Sequence, residues 1–95
     1  MKPLEHNLDK AMKSLATIVE QRRQKLGLSQ EELARKAGVS RAYLSDVERA
    51  LRNVSIITLS KLATALGTMP SVLLREVEEM VFGEEPVYTE SGGVE

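Results

Sequence analysis

Three residues, Gly38-Val39-Ser40, separate two segments that each carry the marks of a complete helix, and this spacing limits the fold more than any other feature of the chain. The first segment opens with Ser29-Gln30-Glu31-Glu32, the S-x-x-E form of a capping box, in which Ser29 and Glu32 satisfy each other's free backbone N–H groups. Leu28 and Leu33 flank it as a hydrophobic staple. The pattern predicts a second helix that starts at Gln30, turns Leu33, Ala34 and Ala37 inward and ends at Gly38, a residue that takes the left-handed conformation at low cost. Ser40 then caps a third helix, with Val39 and Leu44 in the same staple relation, over about Arg41 to Ala50. A connection this short forces a sharp turn between the two helices.

The same device recurs downstream. Ser55, with Val54 and Leu59, starts a fourth helix that continues through Leu62, Ala63 and Leu66 to Gly67, and Pro70 suits the first turn of a fifth helix reaching about Phe82. Upstream, Leu8, Met12, Leu15, Val19 and Leu26 recur at helical spacing, so a first helix begins between Asn7 and Ser14, ends at Leu26 and is stopped by Gly27. Five short helices with a sharp turn between the second and third give an all-α fold of helix-turn-helix arrangement. The domain spans residues 1–82, and 83–95, GEEPVYTESGGVE, reads as a flexible acidic tail without apolar period.

Composition narrows the function. Ninety-five residues make one small domain with no room for a second, sensing domain, and a core low in aromatics (3%) must come from Leu, Val, Ile and Ala. Cysteine is absent, no apolar run approaches the roughly 18 residues of a membrane span, and the N-terminus lacks a signal-peptide core. A soluble, cytoplasmic chain that meets no membrane is therefore expected. The net charge of −1 conceals an uneven distribution: from Gln21 to Asn53 eight basic residues face four acidic ones, whereas beyond Arg75 every charged residue is acidic. Local charge sets the field that a partner feels. One histidine, His6, without cysteine, glycine-rich phosphate loop or metal-ligand spacing, leaves catalysis unsupported, so neither enzyme activity, cofactor nor metal is expected.

On the third helix, an advance of about 100° per residue puts Leu44, Val47 and Leu51 on one side and Ala42, Ser45, Asp46 and Arg49 on the other, with Arg41 in the first turn and Tyr43 at the edge. Small and polar residues flanked by arginines can enter a major groove about 12 Å wide without obstruction. Taken alone, this helix equally fits a merely solvated face, with Asp46 and Arg49 as an ordinary i,i+3 pair.

The stretch LGLSQEELARKAGVSRAYLSDVERALRN, followed by TLSKLATALG, resembles the lambda-repressor-like helix-turn-helix family, the Cro-type or XRE regulators, over about residues 15–75. Within it, SRAYLSDVERALRN looks most like the short controller proteins of restriction–modification systems. The resemblance implies a sequence-specific transcriptional regulator whose third helix reads double-stranded operator DNA, with Arg41, Ala42, Tyr43, Ser45 and Asp46 at or beside base-reaching positions. Arg41 would fork onto guanine O6 and N7, Tyr43 would meet a thymine methyl or a phosphate, and Asp46 would accept from cytosine N4. Gln30, Arg49, Arg52 and Asn53 would meet phosphates, with Ser40 more a cap than a contact. Arg22, Arg35 and Lys36 are expected to be solvated. Arg23 and Glu48 match a partly buried ion pair behind the DNA surface and are assigned to structure. Three positions depart from the family pattern: Ala50 replaces a helix-ending glycine, which suggests a longer third helix, Val54 replaces a proline, and Met69 replaces a Ser or Thr cap.

The fifth helix offers more apolar positions than one buried stripe requires. Leu73, Val77, Met80 and Val81 are therefore assigned to a homodimer interface, which would set two recognition helices about 34 Å apart on a two-half-site operator. A rival reading of another class is an antitoxin-like or adaptor module that grips a protein partner through the fifth helix or the acidic tail.

Overall fold

A computed structural model describes residues 4–83, with side chains described from Asp9 onward. It is all-α, with α1 (Leu4–Lys25), α2 (Gln30–Ala37), α3 (Arg41–Glu48), α4 (Ile56–Ala65) and α5 (Pro70–Phe82). The helix-turn-helix expected at the second and third helices is α2 and α3, joined by residues 38–40. The first helix starts at Leu4, before the expected range. The acidic tail, apart from Gly83, and the side chains of His6 and Leu8 lie outside the described residues. Among the described residues no single helix is long and apolar enough to cross a membrane.

The caps form as the sequence implies. Ser29 and Glu32 exchange both capping-box hydrogen bonds, the Glu32 backbone N–H donating to Ser29 Oγ at 3.0 Å and the Ser29 N–H to Glu32 Oε1 at 2.8 Å. Hydrogen bonding from Ser29 to the ionised form, together with nearby Arg35 and Lys36, holds the Glu32 carboxyl below the usual carboxylate range. Ser40 Oγ accepts from the Tyr43 N–H and Ser55 Oγ from the Thr58 N–H, each at 3.0 Å. Met69 offers no such bond, and α5 starts on Pro70 alone.

Two apolar clusters fill the interior. Val19 of α1, Leu33, Ala34 and Ala37 of α2, Leu44 and Val47 of α3, and Leu62 and Leu66 of α4 form the larger. Ile18, Leu59, Ala63 and Leu73 form the smaller, and Leu15 and Val54 pack against both. Burying a side chain of the Leu or Val class contributes about 1.5–3 kcal/mol, so the inner face of α3 is fixed chiefly by Leu44 and Val47.

α1, α2, α3 and α4 all end on one hydrogen-bond pattern. After α2, the Val39 N–H donates to Ala34 O at 3.0 Å and the Gly38 N–H to Arg35 O at 3.3 Å, with Gly38 in the left-handed region at φ +74°. After α3, the Leu51 N–H donates to Asp46 O at 2.9 Å and the Ala50 N–H to Val47 O at 3.0 Å, with Ala50 at φ +60°. This is the Schellman closure, and Ala50 adopts it without the glycine that the other three ends supply. The expectation of a longer third helix is thus corrected: α3 stops at Glu48, because Val54 must return to the core before α4 begins at Ile56. Leu51, expected on the inner side, is consequently 56% exposed beyond the helix. Leu26, just past the end of α1, is also exposed.

Arg22, expected to be solvated, instead ties α1 to α5. Its Nη2 donates to Glu76 Oε2 at 2.6 Å and its Nε to Oε1 at 3.2 Å. The guanidinium holds the Glu76 carboxyl below its ordinary range, and the carboxylate holds the guanidinium above its own.

Two outcomes are expected. Left-handed backbone costs a non-glycine residue about 1–2 kcal/mol, while glycine gives back up to about 1 kcal/mol through the freedom of its unfolded chain, so Ala50→Gly should stabilise the domain by about 0.5–1 kcal/mol in urea unfolding. The second concerns pH. Because Glu76 has a lowered pKa in the folded state, its contribution is present above the ordinary carboxylate pKa and is lost as pH falls through the folded value. Denaturation midpoints should therefore drop more steeply below about pH 4 in the wild type than in Glu76→Gln.

Candidate nucleic-acid interface

The outward side of α3 is set by what holds the helix from behind. Arg23 of α1 donates from Nε to Glu48 Oε2 at 2.7 Å and from Nη2 to Oε1 at 3.0 Å, while its Nη1 donates to the Leu28 carbonyl at 2.8 Å. Only 12% of the Arg23 side chain and 4% of the Glu48 side chain are exposed. The bidentate contact raises the Arg23 pKa. Gln30, the first residue of α2, donates from Nε2 to Glu48 Oε1 at 2.9 Å, so one carboxylate joins three helices. A fork of this kind fixes rotation about the α3 axis as well as distance.

With Leu44, Val47 and Glu48 turned inward, Arg41 and Ala42 are exposed and Ser45 and Asp46 are half-exposed on the other side. Arg49, Arg52 and Asn53 extend this surface past the end of the helix, all three exposed. Electrostatics set α3 apart from its neighbour. In α2, Glu31 and Glu32 occupy the first turn and Arg35 and Lys36 the last, as the helix dipole favours. In α3 the first turn contains no acid and begins with Arg41, a cation at the positive end. That arrangement is unfavourable for the isolated helix and becomes favourable when an anion or an electronegative base edge lies beyond it.

Tyr43 is partly buried against the larger cluster, and the Arg52 guanidinium lies over its ring, with Cζ 5.2 Å from the centroid. Asp46 pairs with Arg49 Nη1 at 3.8 Å and Arg52 Nε at 3.4 Å. Of the residues assigned to base and phosphate contacts, Arg41, Ala42, Arg49, Arg52 and Asn53 are exposed and Tyr43, Ser45 and Asp46 partly so, whereas the Gln30 amide points to Glu48 and Ser40 Oγ serves as a cap.

The interface assigned to the fifth helix needs correction. Leu73 has 0% exposure and belongs to the smaller core cluster, where it is out of reach of a second subunit. Val77 packs against that cluster and Val81 is half-buried, whereas Met80 is exposed together with Val72 and Leu74. The register explains the difference: Leu73 and Val77 face α1 and α4, and the surplus apolar residues flank them. Ile56 and Ile57, apolar residues not expected at any surface, stand 77% and 67% exposed in the first turn of α4. Both precede Leu59, Leu62 and Ala63, the residues that α4 turns to the core, and stand on its solvent side. The Arg22–Glu76 bridge joins residues 54 apart and so has no local pattern in the sequence.

A family model described as helix-turn-helix matches residues 19–73. Control protein C.BamHI of Bacillus amyloliquefaciens is 46% identical over 50 residues, which cover 53% of this chain and 62% of that protein, so the match spans less than two thirds of the relative. Among solved structures, the restriction–modification controller protein C.AhdI of Aeromonas hydrophila superposes with a TM-score of 0.62 at 41% identity, covering 70% of this chain and 94% of that one. The master regulator for biofilm formation SinR, solved in complex with DNA, superposes with a TM-score of 0.60 at 41% identity, covering 63% and 97%.

Removing the Glu48 carboxylate alone would leave Arg23 charged and unpaired in a poorly hydrated site. Glu48→Ala should accordingly cost about 3–5 kcal/mol in urea unfolding, a large share of a small domain's stability. Arg23→Met combined with Glu48→Leu should recover part of that loss, because no stranded charge remains.

Proposed function

The chain belongs to the helix-turn-helix family matched over residues 19–73, and we propose that it is a sequence-specific DNA-binding regulator of transcription that acts as a homodimer on two half-sites. The observation that carries this reading is the exposed side of α3, with Arg41, Ala42 and Ser45 free of the core while Leu44, Val47 and Glu48 anchor the opposite side. Small side chains let the helix approach base edges closely, and Arg41 supplies the planar fork that matches guanine O6 and N7. Arg49, Arg52 and Asn53 lie where they would track the phosphates and fix the register of the helix in the groove. At α2, the Gln30 amide is committed to Glu48, so the phosphate contact falls to the free backbone N–H groups of the first turn.

Similarity to C.BamHI and C.AhdI supports a controller role in restriction–modification, and similarity to a DNA complex of SinR supports duplex DNA as the partner. In this reading the protein works in the cytoplasm and binds rather than catalyses. The second subunit would seat on exposed apolar residues of α5, namely Val72, Leu74 and Met80, rather than on Leu73. Pairing two α3 helices on one side of a duplex requires half-sites about 34 Å apart.

Selection from a random duplex pool tests the whole reading. Wild type should recover sites with two inverted half-sites one helical turn apart, and affinity should fall steeply with salt as counterions are released. Arg41→Ala should relax the preference at one base pair per half-site by about 1–3 kcal/mol. Arg52→Ala should weaken binding to the selected site without changing the preference at any single base pair, and should lower the salt slope by about one. Recovery of no shared sequence by the wild type would reject specific DNA recognition, and recovery of single half-sites would reject the dimer.

A further inference from the structure

Asp46 stands on the outward side of α3, where a carboxylate opposes the approach of phosphates. Its surroundings give it a task other than reading a base. One oxygen lies 3.8 Å from Arg49 Nη1 and the other 3.4 Å from Arg52 Nε. Arg52 is held from a second direction, since its guanidinium lies over the Tyr43 ring. It belongs to no helix and follows the left-handed turn at Ala50, so its backbone alone gives the side chain little direction. The carboxylate takes the Nε edge, the ring takes the face, and the Nη edge remains to meet an anion in one orientation. Tyr43 is itself packed against the core cluster, so this arrangement is referenced to the interior of the domain.

We propose that Asp46 is a positioning residue for sequence discrimination. It holds Arg52 in the geometry that fits a phosphate when α3 is seated in register, keeps Arg49 within ion-pair distance, and draws both away from phosphates in other registers. These pairs are solvent-exposed and contribute little to folding stability, so their effect is on the choice among duplexes. An arginine already oriented loses less freedom when it docks, which favours the fitted complex. A released arginine can follow any phosphate, which favours unfitted complexes. The carboxylate also repels backbone charge in every misaligned pose.

This inference rests on the DNA-binding reading, and its test separates the two. In the free protein, the NMR signal of Arg52 Nε–H should shift toward that of an unpaired arginine in Asp46→Asn and stay in place in Glu79→Gln, which removes the same charge away from α3. Against the selected duplex and a scrambled one, Asp46→Asn should tighten scrambled binding and lower the ratio of the two affinities by about tenfold, a coupling of ordinary size within one charge network. Glu79→Gln should keep the ratio. In the Arg52→Ala background the effect of Asp46→Asn should shrink, because the arginine it releases is gone. An unchanged Arg52 signal, or an unchanged ratio, overturns the proposal. So does a change confined to preference at one base pair, which would make Asp46 a base reader. A wild type that prefers no duplex rejects specific DNA recognition and this discriminating role together, while the Arg52 signal, read without DNA, still reports whether Asp46 restrains it.

Discussion

The bidentate pair between Arg23 of α1 and Glu48 of α3 is the contact on which the interface depends. Apolar packing of Leu44 and Val47 brings α3 onto the core, but such contacts are weakly directional and tolerate small rotations of the helix. Two nearly parallel N–H···O bonds do not. Gln30 adds the start of α2 to the same carboxylate, and Arg23 reaches back to the Leu28 carbonyl just before the capping box. The angle between α2 and α3 and the rotation of α3 are therefore set together, and both decide whether Arg41 and Arg52 reach a duplex at once. The energetic gain of a buried ion pair over an apolar replacement is small, so its contribution is chiefly orientation.

Around this point the chain is built from a repeated unit: serine cap, short helix, left-handed closure. Short helices gain little from propensity alone and need packing and terminal hydrogen bonds to persist. Repetition explains how a small domain places several helices with connections of a few residues. It also explains why Ala50 endures a strained conformation. The closure after α3 is demanded by the position of Val54 and α4, and local preference yields to that requirement. The same closure carries Arg52 back over Tyr43, so the strained residue lies between the recognition helix and the arginine that flanks it.

The parts of the site legible in the sequence are those with a local cause. Ser29, Ser40 and Ser55 announce their helices through hydrogen bonds that span three residues, and the inner positions of α2 and α4 follow from a period of 3.6. The pairing of Arg23 with Glu48 came from family resemblance rather than spacing, since 25 residues separate them. Leu51 and Leu73 were misassigned for opposite reasons. Leu51 was carried inward by extending a helix that tertiary packing ends early, and Leu73 was carried outward by counting apolar residues without their neighbours.

By itself the sequence determined five helices, their ends except the start of α1 and the end of α3, and the set of side chains on the outward side of α3, because caps and amphipathic periods act between residues a few positions apart. Only the tertiary structure decided where α3 stops, that Gln30 turns to Glu48, that Arg22 joins Glu76, and that Asp46 faces two arginines. Most of these choices depend on distances between elements remote in the chain. Even the nearby arginine beyond Ala50 reaches Asp46 only because the requirements of α4 bend the backbone there, and that constraint has no local signature.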